Sequence, residues 1–188
     1  MINKDTLRED ESIAFDPSTY LGKSLRIFIS HSSKDKYIAS NIKRFLEIYF
    51  GLEVFVAHED IEAATSWPAE ILTQLKSTDV FLLLVSKNSA ESDFTDQETG
   101  YALALNKPII PIKIDKTPYG FISDIQALRY DEPENGYKWY DYCKLIRDLI
   151  AKNKELNESL KDCLIRAFEN SSNFAMSRKI SSLLIEEE

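Results

Sequence analysis

The stretch "VFLLLV" at residues 80–85 carries no polar side chain on either face. A strand that is apolar on both faces has to be covered on both, which places it inside a parallel sheet with helices above and below. The segments around it meet that demand. "LRIFIS" (25–30), "LEVFVA" (52–57), "PIIPIKI" (108–114) and a short piece near "ALRY" (127–130) read as further strands. Between them, "KDKYIASNIKRFLEIYF" (34–50) repeats Ile38, Ile42, Phe45, Leu46 and Tyr49 at helical spacing and stops at Gly51. "WPAEILTQLKS" (67–77) and the segment from Ser92 to Leu105 read as two more helices.

This alternation predicts an α/β, flavodoxin-like, doubly wound five-stranded parallel sheet of order 2-1-3-4-5 with right-handed crossovers. Its crevice is expected beyond the carboxyl ends of strands one and three, between the loops Ser30–Lys34 and Ser86–Asp93. Pro111 removes a ladder hydrogen bond and pushes the fourth strand toward an edge or a bulge. From Trp139 onward the pattern is helical, with stripes at Leu160, Leu164, Ala167 and Phe168 and at Met176, Ile180, Leu183 and Leu184. The expected division is a polar arm over 1–23, a core domain over 24–152, and a helical extension over 153–188 packed on or beside that domain.

Composition narrows the functions. With 31 acidic against 23 basic residues the net charge is -8, so the surface as a whole repels nucleic-acid backbones and no nucleic-acid partner is expected. No run reaches the roughly 18 apolar residues of a membrane span, and the first residues lack a signal-peptide core, so neither membrane nor export is expected and the cytoplasm is the default. The two cysteines, Cys143 and Cys163, lie apart in helical segments and read as core residues of a reducing compartment. The first strand runs into "SHSSKDK" rather than a glycine-rich phosphate loop. His31 and His58 have no cysteine near them, so no metal is expected. A Ser-His-Asp triad from Ser30, His31 and Asp35 is disfavoured because sequence neighbours rarely reach that geometry.

Taken in order, the segments resemble one family. "RIFISHSSKD", "VAHEDIEAATSWPAEILTQLKSTDVFLLLVS" and "ESDFTDQETGYALALNKPIIPIKI" are similar to the successive boxes of the Toll/interleukin-1 receptor (TIR) domain in its bacterial form, over about residues 25–150. The resemblance implies an enzyme that cleaves NAD+ with a single glutamate on the helix after the third strand, here Glu98. It implies ADP-ribose or a cyclic ADP-ribose isomer as product, a role in signalling such as Thoeris-like anti-phage defence, and self-association through TIR domains. It further implies NAD+ as substrate with no bound cofactor, and a sensor or effector on a separate chain. Two positions depart from the family pattern: its usual tryptophan is Phe94, and its loop glycine is replaced within "AATS".

The residues fit that chemistry. Ordinary glycosides need two carboxyl groups, one of them to protonate the leaving oxygen. The nicotinamide of NAD+ is already cationic and leaves neutral, so one carboxylate that stabilises the growing charge on the ribose suffices. Phe94 lies one helical turn from Glu98 and offers a ring for stacking. Ser30, His31 and Ser32, with Lys34, bring hydroxyl, imidazole and ammonium groups to the end of strand one for ribose or diphosphate. Trp67 either packs the loop before it or touches ligand, and Asp60 either pins that loop or touches substrate.

The competing reading of Glu98 is structural. "TDQE" (95–98) matches a capping box in which Glu98 reaches back to the Thr95 N–H, whereas a cap at Ser92 would put Phe94 and Glu98 together on one helical face. Gly100 and Ala102 are expected to keep the helix slim where it meets the sheet or a neighbour. Two other functions stand beside the enzyme reading: a non-catalytic TIR–TIR interaction scaffold, and an N-glycosidase like the nucleoside deoxyribosyltransferases.

Overall fold

The computed structural model describes residues 24–57, 67–133 and 136–185. The arm over 1–23, with His58 and Asp60, lies outside the described residues. Five strands form one parallel sheet: β1 Arg26–Ser30, β2 Glu53–Val56, β3 Val80–Val85, β4 Ile109–Lys113 and β5 Leu128–Arg129. Their order is β2-β1-β3-β4-β5, as the alternating pattern predicts. The helices are α1 Lys36–Phe50, α2 Trp67–Ser77, α3 Asp93–Ala104, α4 Gly136–Ala151, α5 Lys154–Glu169 and α6 Phe174–Ile185. Helix α4 begins at Gly136 rather than at Trp139, because the apolar stripe that signals it starts only where the helix meets the core.

All six residues of β3 are buried, and successive side chains enter different layers. Ile27 and Ile29 of β1 and Val80, Leu82 and Leu84 of β3 pack toward α1 and the C-terminal helices, whereas Phe28, Phe81, Leu83 and Val85 pack toward α2 and α3. Phe28 lies between Phe55 and Phe81 across three strands, tilted against the first and stacked on the second, with ring centroids 5.2 and 5.6 Å away. The same period of two assigns the polar residues at the strand ends. Ser30 continues the row of Phe28 and is aimed at the α3 layer; Ser86 continues the row of Leu82 and Leu84 and is aimed at the α1 layer.

Pro111 sits where its missing N–H costs nothing. Ile114 donates to Val85 of β3, and Lys113 accepts from Tyr130 beyond β5, so even-numbered residues of β4 bond to β3 and odd-numbered ones face β5. Pairing with β5 starts only at Ile112 and Lys113, one position past the proline. The strand therefore stays straight between two neighbours, and the fifth strand is short.

The C-terminal helices share the core of the sheet. Leu160, Cys163, Leu164, Ile180 and Leu183 are buried in the same cluster as Ile42 and Leu46 of α1. Both cysteines are free and buried. Gly51 explains how closely α5 approaches. It ends α1 in the left-handed conformation (φ 63°), donating to Glu47, and a side chain there would collide with the Cys163 carbonyl. Gly100, by contrast, is exposed on α3 with open space around it; Ala102 alone is the small residue that meets the sheet.

The two glycines should respond oppositely to alanine. Gly51→Ala carries left-handed strain and a backbone collision, and should lower unfolding free energy by about 2–4 kcal/mol. Gly100→Ala removes backbone entropy from a helix interior and should raise it by about 0.5–1 kcal/mol. Urea unfolding of both variants checks this; a neutral Gly51→Ala would mean that α5 does not press on the end of α1.

Candidate active site

The loop after β3 sets where α3 begins. Ser92 is extended (φ −104°, ψ 109°) and its hydroxyl accepts from the Thr95 N–H at 3.4 Å, so Ser92 is the N-cap and Thr95 lies inside the helix. Asp93 and Asp96 fall in the first turn, where the helix dipole favours them. With the start of the helix settled at Ser92, Glu98 has no capping work. Thr95, Glu98 and Ala102 recur at helical spacing and form the buried face of α3 toward the sheet.

Glu98 is 4% exposed. Its Oε2 accepts the hydroxyl of Ser30, which is itself 0% exposed, at 2.5 Å. Its Oε1 has no hydrogen-bond partner among the described residues. Burial raises the carboxyl to about 7 from an ordinary value of 4.5, and the Ser30 bond holds it from rising further. A buried carboxyl with one unused acceptor is costly to the fold unless something meets it.

Beside Glu98 lies a cavity of about 270 Å³. Pro68, Ile71, Leu72 and Leu75 of α2 form one wall; Phe94, Gln97 and Tyr101 of α3 share the other with Glu98. Phe94 is 46% exposed, so its ring stands at the mouth. The arrangement suits a small ring or sugar held among apolar side chains, next to an acid whose charge changes near neutral pH.

A second polar cluster ties the strand ends on the opposite layer. Asp35, buried at the start of α1, accepts from the Ser86 hydroxyl at 2.5 Å and from the Asn88 amide at 3.2 Å. Ser86 and Ser89 bond reciprocally, Ser86 N–H to Ser89 Oγ at 2.9 Å and Ser89 N–H to Ser86 Oγ at 3.0 Å. These bonds shape the loop that leads into α3.

The expected site residues are thus distributed unevenly. Glu98 and Phe94 share the cavity, and Ser30 touches Glu98 from behind rather than lining the cavity. His31 and Ser32 are buried at the end of β1, and Lys34 is exposed on the following single turn of 3-10 helix. Trp67 opens α2, but its side chain, like Asp60, lies outside the described residues. Sequence reasoning missed Tyr101, although it stands at helical spacing from both Phe94 and Glu98. It also missed the α2 wall, for which no local signal exists, since that wall arises from two helices meeting. Among the described residues, no cluster of three or more His, Cys, Asp or Glu could hold a metal, and no helix is long and apolar enough to cross a membrane.

Comparison with known proteins adds three findings. A family model described as TIR domain matches residues 27–145. Among solved structures, the TIR domain of the Toll-related receptor TRR-2 from Hydra magnipapillata is 18% identical, with a TM-score of 0.52 over 65% of this chain and 96% of that one. At that identity the likeness speaks to the fold alone. The CMP N-glycosidase BcmB of Clostridium botulinum (21% identity, TM-score 0.46, 64% of this chain and 98% of that one) and the TIR domains of the activated Roq1 resistosome (17%, 0.44, 87% and 99%) superpose too loosely to inform the site. No curated protein matches the sequence.

The buried carboxyl has a measurable consequence for stability. Folded, Glu98 keeps its proton up to about 7; unfolded, it releases it near 4.5. The folded state therefore binds more protons in that window, so its contribution is full below 4.5, falls as pH rises through about 7, and is flat above. Glu98→Gln cannot ionise and should gain on the wild type by on the order of 2–3 kcal/mol between pH 5 and 8. Urea titrations at the two pH values measure this; parallel pH dependence in both proteins would show that Glu98 is not a desolvated acid.

Proposed function

The chain belongs to the TIR domain family, and from that premise we propose that it is an NAD+ nucleosidase with Glu98 as its catalytic residue. The observation that carries the reading is the pairing of a buried, single carboxyl with an aromatic ring, Phe94, at one cavity. A second acid is not needed. The nicotinamide nitrogen is positively charged before the bond breaks and takes the bonding electron pair as it leaves, so it departs neutral without a proton donor. Positive charge then grows on the ribose, where ionised Glu98 stabilises it at short range in an apolar setting and accepts hydrogen bonds from ribose hydroxyls. Attack by water gives ADP-ribose, nicotinamide and a proton; attack by an adenine nitrogen gives a cyclic isomer instead.

The cavity holds the nicotinamide riboside end of the dinucleotide, with Phe94 stacked on its ring, and the adenylate half extends outward. Lys34, exposed at the crevice end of β1, supplies local positive charge for the diphosphate on an otherwise acidic surface. His31, Ser32, Trp67 and Asp60 remain proposed contacts for the rest of the substrate. We further place the protein in the cytoplasm, self-associating through its TIR domain, in an anti-phage signalling role of the Thoeris kind, with its trigger or effector on another chain.

Chromatographic measurement of NAD+ loss tests the assignment. Glu98→Gln should lower turnover by at least about 100-fold. An unchanged variant, or a wild type inert even when concentrated, would leave the interaction scaffold as the better reading; consumption of nucleotides such as CMP with NAD+ spared would favour the N-glycosidase. Because Glu98 must be ionised to act, kcat/KM should climb about tenfold per pH unit below its titration and level off above about 7. Phe94→Ala should act mainly on binding, raising KM roughly tenfold with a smaller loss in kcat; an equal fall in kcat and kcat/KM, with KM unchanged, would assign Phe94 to the transition state.

A further inference from the structure

Ser30 was expected to meet the substrate, but it is fully enclosed and makes its contact with Glu98. Its neighbours on β1 leave it little freedom. Phe28 precedes it in the same row and is wholly buried, and Ser30 pairs with Leu83 of β3 in the sheet register. The hydroxyl thus comes from a buried strand paired on both sides within the sheet, whereas Glu98 comes from a helix.

Resting on the enzyme reading above, we propose that Ser30 is a positioning residue for Glu98, fixing Oε2 through its hydroxyl so that Oε1 alone is left to meet a ligand. The donor capacity of the pair supports this. A serine hydroxyl has one proton to give and lone pairs to accept with, so the bond at 2.5 Å engages Oε2 in either ionisation state of the acid. When Glu98 is ionised Ser30 donates to Oε2, and Oε1 is the oxygen with lone pairs to spare. One oxygen holds the side chain still, and the other takes part in chemistry.

Few other groups can do the same. Among the described residues, α2 gives the shared cavity only apolar side chains, α3 gives it Phe94, Gln97 and Tyr101, and β1 continues into buried His31. Among the described residues no charged side chain contributes to the upward displacement of Glu98, which comes from burial and is opposed by Ser30. Removing the hydroxyl should leave the burial and take away what opposes it.

The experiment combines kinetics with a titration that does not depend on turnover. In protein carrying 13C-labelled glutamate carboxyls, the Glu98 resonance, assigned by its loss in Glu98→Gln, should titrate near 7 in the wild type and about one unit higher in Ser30→Ala. Ser30→Thr, which keeps the donor, should return the midpoint toward the wild type. In NAD+ cleavage, Ser30→Ala should lower kcat about 10–100-fold with KM within about threefold, and move the pH profile in the same direction as the resonance. An unmoved midpoint in Ser30→Ala, or a loss appearing in KM alone, would overturn the proposal. If the alanine variant fails to fold, Ser30→Cys keeps the volume with a poor donor and reads the same midpoint. Should the wild type cleave no NAD+, the enzyme reading falls, while the resonance still reports whether Ser30 holds Glu98.

Discussion

A strand with no polar face can exist only if both of its surfaces are covered, and β3 imposes that condition on the whole molecule. The cover on one side is α2 and α3; on the other it is α1 together with the C-terminal helices. Each helix packed against β3 or β1 brings its buried stripe to a fixed height along the strands. Ser30 and Ser86 are where those two strands turn from apolar to polar. The alternation that buries Phe28 on one layer and Leu84 on the other sends one serine to each layer, where each meets one carboxyl.

The two carboxyls have different fates. Asp35 has both oxygens engaged, by Ser86 and Asn88, and serves the loop that leads into α3. Glu98 has one oxygen engaged and lies against a cavity. An apolar residue at position 98 would pack there without the desolvation cost, so the sequence carries a group that weakens the fold above neutral pH. Such costs concentrate where a protein uses the group for something other than stability.

Much of the fold was legible because its cues are periodic. The apolar runs of β1 to β4, the stripe of α1 and the stop at Gly51 are local signals, and their alternation leaves one strand order favoured. The short fifth strand also fell where it was expected, near 127–130, whereas the first turn of α4 lay outside such cues. Of the two small residues on α3 only Ala102 serves the sheet, because the buried face of the helix runs through Thr95, Glu98 and Ala102 and leaves Gly100 outward. The site was half legible: Phe94 and Glu98 are one turn apart on a single helix. The wall from α2 and the hydroxyl of Ser30 come from residues 23 to 68 positions away in sequence from Glu98, as the cavity lining and the Ser30 contact show.

By itself, then, the order of residues determined the parallel sheet and the one helix on which an acid and an aromatic ring share a face, since both follow from local period and spacing; the cavity beside Glu98 lies between α2 and α3, not between the loops Ser30–Lys34 and Ser86–Asp93 where the crevice was expected, because it is made by two helices meeting. Only the tertiary structure decided what Glu98 is. The cap at Ser92 relieved it of a local task, the sheet removed it from water, Ser30 took one of its oxygens and α2 closed a cavity beside the other residues of its helix face. The cap is local, but the other three conditions arise from long-range contacts; burial moves the carboxyl's charge into the neutral range, and the Ser30 bond limits that rise.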